Sequence, residues 1–375
     1  MAHSYTPGLK VLHETKISKD RILPLKGEVV VKVGQQVEPG DVVAKTDLPG
    51  NIQMVNIANL LNIDPGDAKT VLTKEVGSPV KKGEVIAETK GIFGLFKSNV
   101  TSPINGTLEA ISDVTGQAVF REAPIPVNVD AYMRGKVTKI IPEEGVTIET
   151  QGAFIQGIFG IGGENRGKLK ILVETRDQEI TPEFITPELE GQIVVGGSFI
   201  SLEAFQKAIR LKVAGVVVGG FNYSDLKAIL GYTLGVAITG SEEIGTSLIV
   251  TEGYGSIKMS DRTFDLFKQY EGRDASINGA TQIRAGVIRP EIVIPLEQEE
   301  LTGSAKEIHE AEAVREGSLV RIIRAPYFGL LGKIVKLPPD LQRMESETMV
   351  RVAQVEIDGD IYSIPRSNLE MVETN

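Results

Sequence analysis

VGQQVEPGDVVAKT (33–46) and VGSPVKKGEVIAET (76–89) are nearly the same phrase, set 43 positions apart. In each, a Gly follows a valine and a second Gly comes six residues later: Gly34 and Gly40, then Gly77 and Gly83. A single inward valine, Val37 or Val80, lies between them. After the second Gly come an acid, Asp41 or Glu84, and an apolar pair, Val42-Val43 or Val85-Ile86. Glycines bracketing a short polar link permit the positive φ values of tight turns. The β-branched residues then resume a strand. The phrase predicts strand, sharp turn, strand, written twice.

A looser phrase follows, SPINGTLEAISDVTGQAV (102–119), where Pro103 and Gly106 mark a turn and Leu108 and Ile111 face a core. Gly116 with Val119 echoes the earlier Gly-x-x-Val. The run 76–119 resembles the two halves of a barrel-sandwich hybrid, the fold of biotinyl and lipoyl carrier domains. Similar modules stand at the start of one of the proteins of Rnf-type electron-transport complexes. The resemblance implies a modified lysine at the tip of the hairpin joining the halves, in a Met-Lys-Met or Asp-Lys-Ala setting. The hairpin here reads ETKGIFGLFKSN (88–99), and neither Lys90 nor Lys97 has that setting. No cofactor is expected. The tip carries Ile92, Phe93, Leu95 and Phe96 instead. Such residues either fold back onto a domain or meet a partner protein, for which Phe93, Leu95 and Phe96 are the candidate contacts. Whether both copies of the repeat share one barrel is left open, because NIQMVNIANLLNI (51–63) between them is long enough for a short helix or an inserted strand.

The chain has 375 residues, too many for one ordinary core. Its 41% hydrophobic and 24% charged content is that of a folded protein. A formal net charge of −10 argues against a broad nucleic-acid-coating surface. There is no cysteine, which excludes disulfides, thiolate ligands and thiol nucleophiles. The start, MAHSYTPGLKVLHETKISKD, lacks the apolar core of a signal peptide, and no run approaches a spanning helix. A cytoplasmic protein is the expectation.

GAFIQGIFGIGGENRG (152–167) brings together Gly160, Gly162 and Gly163. Such a cluster either turns the chain or exposes N–H groups to an anion, with Arg166 as the cation. The spacing of a phosphate loop is absent. Beyond it, strands at 192–197, 213–220, 236–240 and 247–253 alternate with helices at 201–212, 224–230 and 260–271, capped by Ser201, Ser224 and Ser260. Alternation of this kind implies right-handed crossovers and a mainly parallel sheet. Ligands of such sheets sit beyond the carboxyl ends of the strands, which makes Gly219, Gly220, Ser224, Thr239, Gly240 and Ser241 the candidate ligand-binding set. His3, His13 and His309 are remote from it in sequence, so no catalytic triad or metal set forms. Arg284 and Arg289 are either solvated or clamp an anion.

The charged stretch 297–315 reads as a linker or exposed helix. From Glu316 onward, short alternating strands, with Asp358-Gly359 joining the last pair, predict a small SH3-like barrel. Gly317–Val335, with Gly329 and Gly332 in its turn, resembles a KOW motif, which implies contact with RNA, ribosomal protein or polymerase. Arg315, Arg321, Arg324, Lys333 and Lys336 are balanced by Glu345, Glu347, Glu356, Asp358 and Asp360, so the phosphate-binding term is weak.

The expected architecture is multidomain β and α/β. It comprises a barrel-sandwich hybrid region with the internal repeat (1–150), a small α/β domain with a mainly parallel sheet (151–296), a charged linker (297–315) and an SH3-like barrel (316–375). A non-catalytic binding or scaffold protein acting through protein partners is the leading reading. A small-ligand protein or enzyme using the α/β crevice, and a transcription or translation accessory using the last barrel, are the alternatives.

Overall fold

The computed structural model describes residues 6–89, 98–231, 239–240, 242–282, 288–301, 306–307, 315–322, 327, 330–344 and 349–373. It is mostly strand, in several sheets. After the long β1 (Thr6–Ile22), the first copy of the repeat forms β2 (Glu28–Val29), β3 (Gln36–Val37) and β4 (Val42–Leu48). The chain then leaves through Gly50 into a separate module: β5 (Ile52–Asn56), α1 (Ile57–Leu61), β6 (Pro79–Val80), β7 (Val85–Glu88), β8 (Asn99–Thr101), β9 (Gly106–Ile111) and β10 (Gln117–Arg121). It returns as β11 (Ile125–Asp130), β12 (Gly135–Ile141) and β13 (Gly145–Gln156).

This order means that the two copies do not share a barrel. β4 pairs with β11 and β3 with β12, around a core of Val31, Val37, Val43, Met133, Val137 and Ile148. In the module β5, β10, β9 and β6 form one sheet and β7–β8 a hairpin, around Ile57, Val80, Ile86, Val100, Leu108 and Phe120. The second copy, with its own second half, is inserted into the hairpin of the first. Its neck is two strands wide: Glu122 N donates to Asn51 O at 2.9 Å, and an atom larger than hydrogen on Gly50 would strike the Glu122 carbonyl.

The repeated phrase makes matching turn bonds and ladder pairings in both places. Gly34 and Gly77 take φ of 89° and 92°, which a side chain resists. Their N–H groups donate to Val137 O and Leu108 O, both at 2.7 Å. The acid closes the second turn by accepting from the residue three before it: Glu38 N to Asp41 Oδ2 at 2.8 Å, and Lys81 N to Glu84 Oε2 at 2.9 Å. Val37 faces Gly135 across the ladder as Val80 faces Gly106.

The central region follows with β14 (Phe159–Ile161), β15 (Glu164–Ile171), β16 (Glu179–Ile180), β17 (Ile193–Val195), β18 (Phe199–Ile200), α2 (Leu202–Arg210), β19 (Gly215–Phe221), α3 (Tyr223–Leu230), β20 (Ser247–Tyr254), α4 (Asp261–Gln269), β21 (Asp274–Asn278) and β22 (Glu291–Pro295). β15, β17, β19 and β20 run parallel as the alternation requires. β14 lies antiparallel on β20, and β21, β22 and β13 continue antiparallel from the first half of β15. Ser201 and Ser260 cap α2 and α4 by accepting from Ala204 N and Thr263 N. Ser224 does not cap α3. The helix begins one residue earlier, Asn222 takes the cap position, and the Ser224 hydroxyl turns to Asp225. Most of the strand expected at 236–240 lies outside the described residues, and Thr239 and Gly240 are not in a strand.

Within the expected linker, β23 (Lys306–Glu307) pairs in parallel with β1. The tail forms β24 (Leu319–Ile322), β25 (Leu331–Lys336), β26 (Leu341–Arg343), β27 (Met349–Ile357), β28 (Asp360–Pro365) and β29 (Leu369–Glu373). These pair antiparallel in the order β29, β24, β25, β27, β28 around Val320, Ile334, Val355 and Ile364, with β26 on β27. Asp358 and Gly359, at φ of 51° and 93°, make the tight turn between β27 and β28. β29 also pairs in parallel with the start of β1, which ties the tail to the body.

Candidate functional site

Gly219 and Gly220 end β19 and are buried. Their lack of a side chain serves packing. A Cβ on Gly219 would strike the Ile257 carbonyl, and one on Gly220 the Gly255 carbonyl, so the β20–α4 connection lies directly over them. That connection is held by Ile257 N donating to Ser198 O at 3.2 Å. Beside it, Tyr223 and Tyr254 meet edge-on with centroids 5.3 Å apart. Burial, with Tyr223 adding to it, pushes the Tyr254 phenol up to about 12.

Thr239 and Gly240 are elsewhere. Gly220 pairs with Gly253 at the carboxyl end of β20, whereas Thr239 Oγ1 donates to Gly160 O at 2.8 Å, on the β14 side where Ile161 faces Leu248 near the start of β20. The six-residue set is therefore split between two places, with Gly219, Gly220 and Ser224 in one and Thr239 and Gly240 in the other. Ser241 lies outside the described residues.

The glycine cluster does cradle an anion, and the anion is the chain's own. Glu242 Oε2 accepts from Gly162 N at 3.0 Å and from Gly240 N at 2.7 Å, while Gly160 N donates to Thr281 Oγ1 at 2.9 Å. Arg166 is not the cation of this cradle. Its Nη1 donates to Pro39 O at 3.1 Å and to Asp130 Oδ2 at 3.0 Å, because β15 aims it at the first copy of the repeat. Arg21 joins the same network through Asp130 and both oxygens of Glu164, with its guanidinium 5.4 Å from the Tyr132 ring centroid. Tyr132 is buried in left-handed backbone at φ 65° and receives the Ser276 hydroxyl on its carbonyl. Burial, then Glu291, holds its phenol well above the usual range.

Arg289, one of the expected clamp pair, forms an ion pair with buried Glu370; Arg284 lies outside the described residues. Arg321 Nη2 meets Glu252 Oε2 at 2.7 Å, each side chain 5% exposed. Burial raises the Glu370 carboxyl above its ordinary value against the pull of Arg289 and Arg321. These four charges join the tail to the central region and face each other rather than an opening.

Two clefts remain. One of ≈ 290 Å³ lies between Glu38–Pro39 and Arg134, Arg166, Asp274 and Ser276. Its arginines are engaged, Arg134 with Glu297 at 2.6 Å and Arg166 with Asp130. The other, ≈ 490 Å³, is a groove on the module lined by Lys69, Leu72, Lys74, Val76 and Ile111. No group of three or more potential metal ligands occurs among the described residues, and no helix there is long and apolar enough to cross a membrane.

The hairpin of the module is closed by Thr89 N donating to Ser98 O at 2.9 Å. Phe93, Leu95 and Phe96, with Lys90 and Lys97, fall between these residues and outside the described set. No family model matches the chain. Two curated glycine cleavage system H proteins do, from Anaeromyxobacter sp. (strain K) and Anaeromyxobacter dehalogenans (strain 2CP-1 / ATCC BAA-258). Each is 31% identical over 103 residues, which is 27% of this chain and 73% of the relative. The chain belongs to that family over one domain, of lipoyl-carrier barrel-sandwich type. The match says nothing of the remaining regions. The sequence left open whether the first copy builds a unit of its own; the signal that would have decided it is that Asn128-Val129, Gly135 and Ile140 repeat Asn99-Val100, Gly106 and Ile111 at the same spacing.

Proposed function

We propose that the chain is a non-catalytic, multidomain binding protein whose lipoyl-carrier-type module is its presenting element. The observation that carries this is the nesting: a complete module, with its own core, stands on a two-strand neck at the hairpin of a like unit. Three further features support it. The carboxyl end of β19 is covered by the chain itself, the glycine cradle is filled by Glu242, and the buried arginines are paired. In this reading the module works without a covalent group, since Lys90 and Lys97 lack the carrier setting, and intact mass after co-expression with lipoyl and biotin ligases will show an unmodified chain. The tail, whose 3-10 turn Arg366–Asn368 precedes its last strand, is read as an SH3-like barrel of KOW type. Its β29 and Arg321 are spent on contacts within the chain, which favours a structural or protein-binding role over RNA. A cytoplasmic location belongs to the same reading.

The test replaces residues 52–121 by a short turn that joins Asn51 to Glu122. Affinity capture from the native cell extract, with mass spectrometry, is expected to lose the bound proteins while the remainder stays folded. Phe93→Ser with Phe96→Ser is expected to lose the same proteins from an otherwise folded chain. Retention of those proteins by the shortened chain sinks the proposal.

A further inference from the structure

The stretch NIQMVNIANLLNI (51–63) contains no charged residue and no histidine, where the chain's 24% charged content would place about three charges. It forms β5 and α1. Among the described residues β5 pairs with β10 alone, so its other edge is open. Ile52 and Met54 on this strand are 48% and 65% exposed, and Leu60 on α1 and Val114 in the β9–β10 turn are 63% and 86% exposed. Asn56 Nδ2 donates to Thr115 O and Ile57 N to Gly116 O, which sets that turn beside the end of β5.

Open edges invite pairing, and proteins usually block them with proline, lysine or a bulge. The opposite edge of this same sheet is blocked: β6 begins with Pro79 and is followed by Lys81 and Lys82. β5 has no such device. We infer that β5 is the strand at which a second copy of this chain pairs, antiparallel about Met54. Two copies that each carry a net charge of −10 repel, so a contact between them is favoured where charge is absent. The two-fold pairing sets Met54 against itself, Ile52 against Asn56 and Gln53 against Val55, so no charge opposes a like charge. The residues of this surface are other than the candidate contacts Phe93, Leu95 and Phe96, and its test is independent of the presenting role.

A strand pair of this length makes a small interface, so the dimer will depend on concentration. Sedimentation of the full chain from about 1 to about 100 μM is expected to show a monomer–dimer equilibrium that tightens modestly as added salt screens the repulsion between the copies. Met54→Lys, at an exposed position, places like charges opposite each other and weakens the dimer about tenfold or more. Mixing Met54→Lys with Met54→Glu restores it, which a merely misfolded variant would not do. A wild type that stays monomeric throughout, a Met54→Lys chain that dimerises as tightly as wild type, or a mixture no tighter than its parts each overturns the inference.

Discussion

The two barrel units share a backbone and differ in what surrounds it. In the first, Asp130 meets Arg21 and Arg166, Tyr132 receives Ser276, and Phe154 and Val293 from the central sheets complete the core. In the module, Thr101 and Pro103 stand where Asp130 and Tyr132 stand in the first unit, and among the described residues the core draws on positions 55–120. One unit is a foundation and the other stands upon it. The turn hydrogen bonds are common to both. What separates the roles is a handful of side chains outside the repeated phrase, together with the strand that continues into the body.

The comparison breaks most visibly at its paired glycines. A Cβ on Gly106 would strike the Arg121 carbonyl, and one on Gly135 would sit 2.5 Å from Glu149 O. Valine at either position is expected to cost about 3 kcal/mol or more, since backbone must move. The reach of the damage should differ. Gly106→Val is expected to remove hydrogen-exchange protection from residues 52–121 while β13, β19 and β20 stay protected. Gly135→Val is expected to reach β13, which pairs with β12. If Gly106→Val strips protection from the whole chain, module and foundation are one cooperative unit and the distinction fails.

The repeat, the helices α2 and α4 with their serine caps, and the Asp358-Gly359 turn were legible because each is local. The nesting was not. Val37 finds its ladder partner at Gly135, across the whole module, and a linear reading of 33–46 does not say whether it shares the nearer phrase at 102–119 or has a partner of its own. Ser224 misled because Asn222, two residues earlier, is also of a residue type that favours the cap position, and it holds that position without a side-chain cap bond. Gly219 and Gly240 read alike as strand ends, yet chain position does not say at which end of a sheet a residue lies. A glycine cluster announces free N–H groups but not which carboxylate fills them, and Glu242 lies 80 residues from Gly162.

A smaller contrast lies in the second glycine of each phrase. Gly83 takes φ of +82° with open space around a would-be Cβ, whereas Gly40 avoids the left-handed region and a Cβ there would sit 3.0 Å from Arg166 Nη2. Gly83→Ala therefore meets backbone strain alone, about 1 kcal/mol. Gly40→Ala meets only the tip of a flexible side chain and is expected to change stability by about 0.5 kcal/mol or less. Thermal denaturation of the two variants checks the ordering. Equal losses would mean that the turns are held alike despite their different φ.

The smallest contrast concerns the turn acids. Lys74 Nζ lies 2.7 Å from Glu84, and this bond, followed by the Lys81 N–H, holds the Glu84 carboxyl below its ordinary value. Among the described residues no lysine faces Asp41, which keeps only the bond from Glu38 N. A carboxyl lowered in the folded state stabilises the fold above its unfolded pKa, and that contribution is lost as pH falls through the folded value. Acidification should therefore loosen the turn of the module by this route, and only slightly, because Glu84 is on the surface. Carboxyl titration by NMR is expected to place Glu84 below the ordinary glutamate range and to show it rising in Lys74→Met. A carboxyl that does not move in that variant would leave the backbone bond, which both copies share, as the cause, and the turns would then be electrostatically alike.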